Sequence, residues 1–250
     1  MTQRLLAFPL SRALLVWLLM ILGIACGQPL PADGTRDSAA ETAAVAVPAR
    51  EPANVMSFEG AAWLEREGRE ELEKPEVVLQ AMELREGMTV AEIGAGTGFF
   101  SRRIAKAVGP TGKVYAQDIQ PEMLELLKEY AAKEGITNII PVLGTETDPK
   151  LPLRKIDRIL LVDVYHEFQK PELMLSALRK VLAPGGTITL VEYRLEGETA
   201  SHINIKHRMS AEQVLAEWGE GGYKLLKQVE TLPSQHVFIF TALRGDRLPG

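Results

Sequence analysis

The chain has 250 residues, a formal net charge of −5 and 46% hydrophobic residues, the profile of a globular protein with one substantial core plus appendages. A net acidic balance argues against a nucleic-acid-binding module. The single cysteine, Cys26, rules out a disulfide framework and a thiolate metal cage.

In chain order the first element is a targeting segment. Arg4 and Arg12 precede an apolar run over residues 13–25. As a helix this run would span roughly 20 Å, against a bilayer core of about 30 Å, so it suits a secretory signal better than a stable membrane span. Its end, Ile24-Ala25-Cys26, resembles a bacterial lipoprotein signal with Cys26 as the lipidated residue, although Gly23 stands where such signals carry Leu. A lipidated anchor, a cleaved signal or uncleaved anchor, and an extension upstream of a start at Met56 all fit. Residues 27–55 are rich in Ala and Pro and nearly free of large apolar side chains, as expected of a disordered tether with a reach on the order of 30 Å. Membrane association and export are therefore expected, with a cytoplasmic protein as the alternative if translation begins at Met56.

Residues 56–250 form the folded domain. A polar helix is expected over residues 58–69 and an amphipathic one over 75–84, with Pro75 suited to its first turn. Strands at 89–93, 113–118, 139–143, 156–162 and 187–193 then alternate with helices at 97–108, 121–134 and 171–182. Such alternation predicts an α/β fold whose parallel strands are joined by crossover helices on both faces. A helix at 210–219 and strands at 223–231 and 236–242 close the chain.

The strongest chemical signal lies between the first strand and its helix. Gly94, Gly96 and Gly98 follow an apolar strand, and the next strand ends on Asp118. Glycine lets a cofactor approach the backbone, and a carboxylate at the neighbouring strand tip can accept both ribose hydroxyls. A dinucleotide fingerprint would need a small residue at position 99, which is Phe. The spacing Glu92-x-Gly94-x-Gly96-x-Gly98 instead resembles motif I of class I S-adenosylmethionine-dependent methyltransferases, and Glu92 suits the α-ammonium of the cofactor better than a pyrophosphate. The later segments fall in the family's order: Ile119-Gln-Pro-Glu-Met123, Gly144-Thr-Glu146, the strand ending at Asp163, and Pro184-Gly-Gly186 before the fifth strand.

This resemblance, clearest to small-molecule methyltransferases of the ubiquinone/menaquinone type, implies a Rossmann-like, seven-stranded, mostly parallel sheet of order 3-2-1-4-5-7-6. It also implies S-adenosylmethionine as cofactor, held by Glu92, Gly94, Ala95, Gly96, Gly98, Asp118, Ile119, Met123, Gly144, Thr145, Glu146 and Asp163. Catalytic candidates cluster past the fourth strand: Asp163, Tyr165 and His166, with His166 the preferred base because its ordinary pKa lies near 6.5. Glu192 and Tyr193 are expected on the acceptor side, with residues 203–206 as a lid or wall. His166, Glu167, His202 and His207 show no metal-binding spacing, and no metal is expected. The chain lacks the Pro-Pro-Tyr sequence that amino-methyltransferases carry after the fourth strand, and Arg102, Arg103 and Lys106 look like a solvated helix face. The expected acceptor is therefore a small molecule and not nucleic acid. Two other classes stay open: a tethered, non-catalytic cofactor-binding module, and a nicotinamide-dependent oxidoreductase on a similar sheet. Export also conflicts with a cofactor made in the cytoplasm, which the sequence does not resolve.

Overall fold

The computed structural model describes residues 50–243. The expected signal and most of the expected tether lie outside them. Seven strands form one sheet in the order β3-β2-β1-β4-β5-β7-β6, as predicted. They are β1 (Thr89–Ile93), β2 (Lys113–Asp118), β3 (Ile139–Leu143), β4 (Ile156–Val162), β5 (Leu182–Tyr193), β6 (Tyr223–Val229) and β7 (Gln235–Ala242). The first five run parallel, and β7 pairs antiparallel with both β5 and β6.

Side-chain alternation builds a core on each face of this sheet. Ala91, Ile93, Ile159, Leu161, Ile188, Leu190, Phe238 and Phe240 pack to one side, and Val90, Leu160, Val191, Val237 and Ile239 to the other. The first face is covered by α5 (Pro171–Val181), through Met174, Leu175 and Leu178, and by α6 (Ala211–Glu220), whose Trp218 stacks on Phe240. The second is covered by α2 (Pro75–Ala81) and by α3 (Phe99–Ala107), through Val78, Phe100 and Ile104. Proline opens α2, α5 and α4 (Pro121–Lys133) at the first turn, where its missing N–H costs no intrahelical bond.

Three expectations shift. The helix expected from Thr97 begins at Phe99, because Gly98 caps it in the left-handed region at φ 82°. The expected N-terminal helix is instead a 3-10 helix, Phe58–Glu65, separated by left-handed Gly68 from the short α1 (Arg69–Glu73). The last residues assigned to the tether are packed on the domain: Ala53 is buried and its N–H donates to the His166 carbonyl at 3.0 Å. Arg50 donates to the carbonyls of Tyr165 and His166 and pairs with Glu217 at 3.1 Å. These contacts could not be inferred from composition, because they are made by backbone and one arginine.

Candidate active site

The carboxyl ends of the parallel strands open into a cavity of about 390 Å³, the size of a small-molecule site. Its donor side is built from local backbone. Gly94 (φ 67°) and Gly96 (φ 53°) turn the chain out of β1, and a side chain at Gly94 would collide with Val164. The Ala95 N–H donates to the Gln117 carbonyl at 2.8 Å, which ties the turn to β2. Asp118 braces the same turn, its Oδ2 accepting from the Gly96 N–H at 2.8 Å and its Oδ1 from the Gln120 N–H at 2.9 Å. Burial raises the Asp118 pKa, and the amides of Gln120, Gly96 and Ile119 partly offset this.

Gly94, Gly96, Asp118, Ile119, Met123, Thr145, Glu146 and Asp163 all line the cavity. Four predicted cofactor residues do not. Ala95 and Gly98 lie behind the turn, where Gly98 allows the Leu127 side chain to approach. Gly144 likewise makes room for the amide of Gln117 and donates to the Asp118 carbonyl. Glu92 is buried under the turn and accepts from the Ser101 hydroxyl, so the direct contact expected between it and the cofactor ammonium is not available. Burial pushes its pKa up to about 7, against the opposing effects of Ser101 and Arg69.

The opposite wall is assembled from distant parts of the chain. β4 ends at Val162, and Asp163 turns the backbone at φ 49° into a 3-10 turn, Tyr165–Glu167. His166 is buried, with Nδ1 2.7 Å from Oε2 of the fully buried Glu192 and Nε2 2.9 Å from Nδ1 of His207. Burial alone would lower the His166 pKa, but the carboxylates of Glu192, Glu167 and Asp163 together more than reverse this, so it is raised. His207 is shifted down by burial and by the facing His166. The Glu192 Oε1 also accepts from the Tyr165 N–H at 2.8 Å, which fixes the turn.

Asp163 accepts from Gln235 Nε2 at 2.7 Å, while its Oδ1 is sealed from solvent without a partner among the described residues. Burial, together with the carboxylates of Glu73 and Glu192, holds its pKa well above the usual range. It is therefore suited to donate a proton or hydrogen bond, not to act as a base. Tyr165 leaves the list of catalytic candidates. It does not line the cavity, and its hydroxyl donates to Glu217 at 2.7 Å on the far side of the turn.

The cavity is also lined by an N-terminal segment that sequence patterns did not connect with the site, and by the segment expected as a wall. Val55, Met56, Trp63 and Leu64 line the cavity from the N-terminal side, and His202, Ile203 and Asn204 from the segment expected as a wall. Arg66 and Arg69 also line it, both paired with Glu73, at 2.6 and 2.9 Å. The supposedly solvated basic face of α3 is compensated by acids. Arg102 is buried and bridges Glu65 and Glu134, Lys106 pairs with Glu134, and Arg103 pairs with Glu70.

Comparison with known proteins agrees with this architecture. A family model described as a methyltransferase domain matches residues 84–230, more than half of the chain. The chain belongs to that methyltransferase family. Its cofactor is S-adenosylmethionine, as in the similar "SAM dependent methyltransferase from Aquifex aeolicus". That structure is 27% identical with a TM-score of 0.68, and the match covers 74% of this chain and 98% of that one. A ubiquinone/menaquinone biosynthesis C-methyltransferase, UbiE, from Bordetella avium is 31% identical over 110 residues, 44% of this chain and 43% of the relative. A protein-L-isoaspartate O-methyltransferase from Methanothrix thermoacetophila is 30% identical over 109 residues, 44% of this chain and 49% of the relative. The methyltransferase thus spans less than half the length of the curated relatives it matches.

The residues present fit the cofactor. A side-chain-free turn, a strand-end carboxylate and apolar Ile119 and Met123 offer places for the ribose and adenine, and Gln117 Oε1 is a buried acceptor with no partner among the described residues. The guanidinium groups of Arg66 and Arg69, which also line the cavity, suit the carboxylate end of the methionine moiety.

Proposed function

We propose that the protein transfers the methyl group of S-adenosylmethionine to a small-molecule acceptor seated against His166. The single observation carrying this reading is the buried Glu192–His166 pair on the wall of the cavity that also holds the glycine turn and Asp118. When bound, the cofactor supplies an electrophilic methyl group on a sulfonium. The protein's own contribution is orientation, exclusion of water and handling of the acceptor's proton. Holding the reacting atoms in line can supply on the order of 7–11 kcal/mol. Trp63, Leu64 and the 202–204 segment add apolar and polar lining to the cavity.

With Nδ1–H donated to Glu192, neutral His166 holds its Nε2 lone pair toward His207 Nδ1, and this histidine pair on the cavity wall can take up the acceptor's proton. On transfer the acceptor would gain the methyl carbon, the S–C electron pair would remain with the sulfur of the departing cofactor, and the histidine pair would hold the acceptor's proton. The ubiquinone/menaquinone biosynthesis C-methyltransferase among the relatives supports a quinone-type compound as the acceptor class. The test is methyl transfer from labelled S-adenosylmethionine to a panel of phenols, quinols and enols. Transfer is expected to at least one class and to fall at least about 100-fold with His166→Asn. Tight cofactor binding without transfer to any acceptor would favour the cofactor-binding module instead.

We also propose that residues 1–26 anchor or export the protein, with Cys26 as the lipidated residue. Arg4, Arg12 and the 13–25 apolar run support this. Fractionation with N-terminal mass spectrometry tests it, and an unmodified N-terminus at Met56 in the cytoplasm would refute it.

A further inference from the structure

Beyond the carboxyl-side chemistry of the sheet, one side-chain cluster stands out. His166, Glu167 and His207 each offer a ligand atom, and these three atoms all lie within 4.8 Å of one another. The residues come from two separate 3-10 turns, Tyr165–Glu167 and Ile205–His207, brought together across 41 positions of sequence. All three line the cavity that holds the glycine turn.

The hydrogen-bond pattern around the cluster is that of a metal ligand set. A histidine that ligates through one ring nitrogen usually donates its other N–H to a carboxylate, which fixes the tautomer and turns the lone pair inward. His166 does this, because Nδ1 faces Glu192 Oε2 at 2.7 Å and Nε2 is left to point at His207 Nδ1, 2.9 Å away. Two imidazole nitrogens at that separation with rings at 86° cannot both carry a proton along the contact, so one proton sits where two lone pairs converge. A cation can replace it. The Glu167 carboxylate has only the Met56 N–H as a partner among the described residues, at 3.1 Å on Oε1. No lysine or arginine is paired with it among the described ion pairs.

We propose that His166, Glu167 and His207 bind a divalent transition-metal ion, with Glu192 as the carboxylate that orients His166. Two imidazoles and a carboxylate favour zinc or iron(II) over magnesium or calcium, which prefer all-oxygen sites. With ligand bonds of about 2.0–2.2 Å, tetrahedral ligand atoms stand roughly 3.3–3.6 Å apart. The histidine nitrogens at 2.9 Å must therefore open by about half an ångström, and a pair at the 4.8 Å limit must close by roughly 1.2–1.5 Å through side-chain rotation. Three protein ligands leave coordination positions free on the cavity side. With the ion bound, His166 Nε2 is a ligand and no longer a base, and an acceptor hydroxyl occupying a free position would lose its proton more readily, as a metal-bound water does. Metal binding itself does not depend on the methyl-transfer proposal.

The test uses the untagged full chain, stripped with chelator and titrated with Co(II), whose visible ligand-field absorption reports nitrogen and oxygen ligation. Zn(II) then serves as competitor. The expected result is one saturable equivalent per chain, displaced by Zn(II), and at least tenfold weaker binding in both His207→Ala and Glu167→Gln. Thermal melting of each variant verifies folding, and His207→Gln replaces His207→Ala if the latter does not fold. Absence of a saturable signal in the wild-type protein overturns the assignment. So does less than tenfold weakening in either folded variant.

Discussion

The two walls of the cavity are made in opposite ways. The donor wall is a local product of 25 or so consecutive residues. There the β1–α3 turn, the end of β2 and the amides that Asp118 braces are positioned by strand pairing, and they carry few side chains that could adjust. The acceptor wall is held by side chains from five places: the 50–69 segment, the end of β4, the end of β5, the 202–207 segment and the start of β7. A wall fixed by backbone tolerates little variation. A wall fixed by side chains can be rebuilt for another acceptor without disturbing the sheet, which explains how one fold serves many substrates.

Substitutions on the two sides should separate these roles. On the acceptor wall, His166→Asn is expected to lower turnover at least about 100-fold while leaving the KM for S-adenosylmethionine unchanged. An equal rise in that KM would show that His166 belongs to the donor side. On the donor wall, Asp118→Ala should weaken cofactor binding about thirtyfold, or about 2 kcal/mol, because charge-assisted bonds to the ribose and the brace on Gly96 are both lost. Calorimetry showing unchanged affinity in the folded variant would remove Asp118 from the site.

A pH experiment probes the donor wall from behind. The folded-state pKa of Glu92 is about 7, above its ordinary 4.5, so the native protein holds a proton that the unfolded chain releases. Its contribution is full below pH 4.5 and is lost as pH rises to about 7, with a slope of at most about 1.4 kcal/mol per pH unit. Unfolding of cofactor-free protein should show this loss relative to Glu92→Gln, and parallel pH curves for the two proteins would contradict it. The smallest effect is expected from Arg50→Ala. This variant should lose about 1 kcal/mol of stability by unpairing Glu217 and the carbonyls of Tyr165 and His166, with cofactor affinity unaffected.

The same contrast governs what the sequence reveals. Strand order, the glycine turn, Asp118, Ile119 and Met123 are legible because their signals are contiguous or spaced by one strand and one helix. Glu92 and Tyr165 show the limit of that logic. Residue type and position match a site, yet the side chains turn to Ser101 and Glu217, away from the cavity. Arg66, Arg69 and Gln117 were not recognisable, since no local pattern connects them with the cavity they line. Met56 seemed a boundary by composition, but it lines the cavity, and Gln120 Nε2 donates to its carbonyl at 2.9 Å.

The central claim is that the glycine turn and Asp118 grip the adenosyl end of the cofactor, and the most direct test is a crystal structure with S-adenosylhomocysteine. The ribose is predicted on Asp118, with the adenine against Ile119 and Met123. Nucleoside density elsewhere in the molecule, with this cavity empty, would contradict the account.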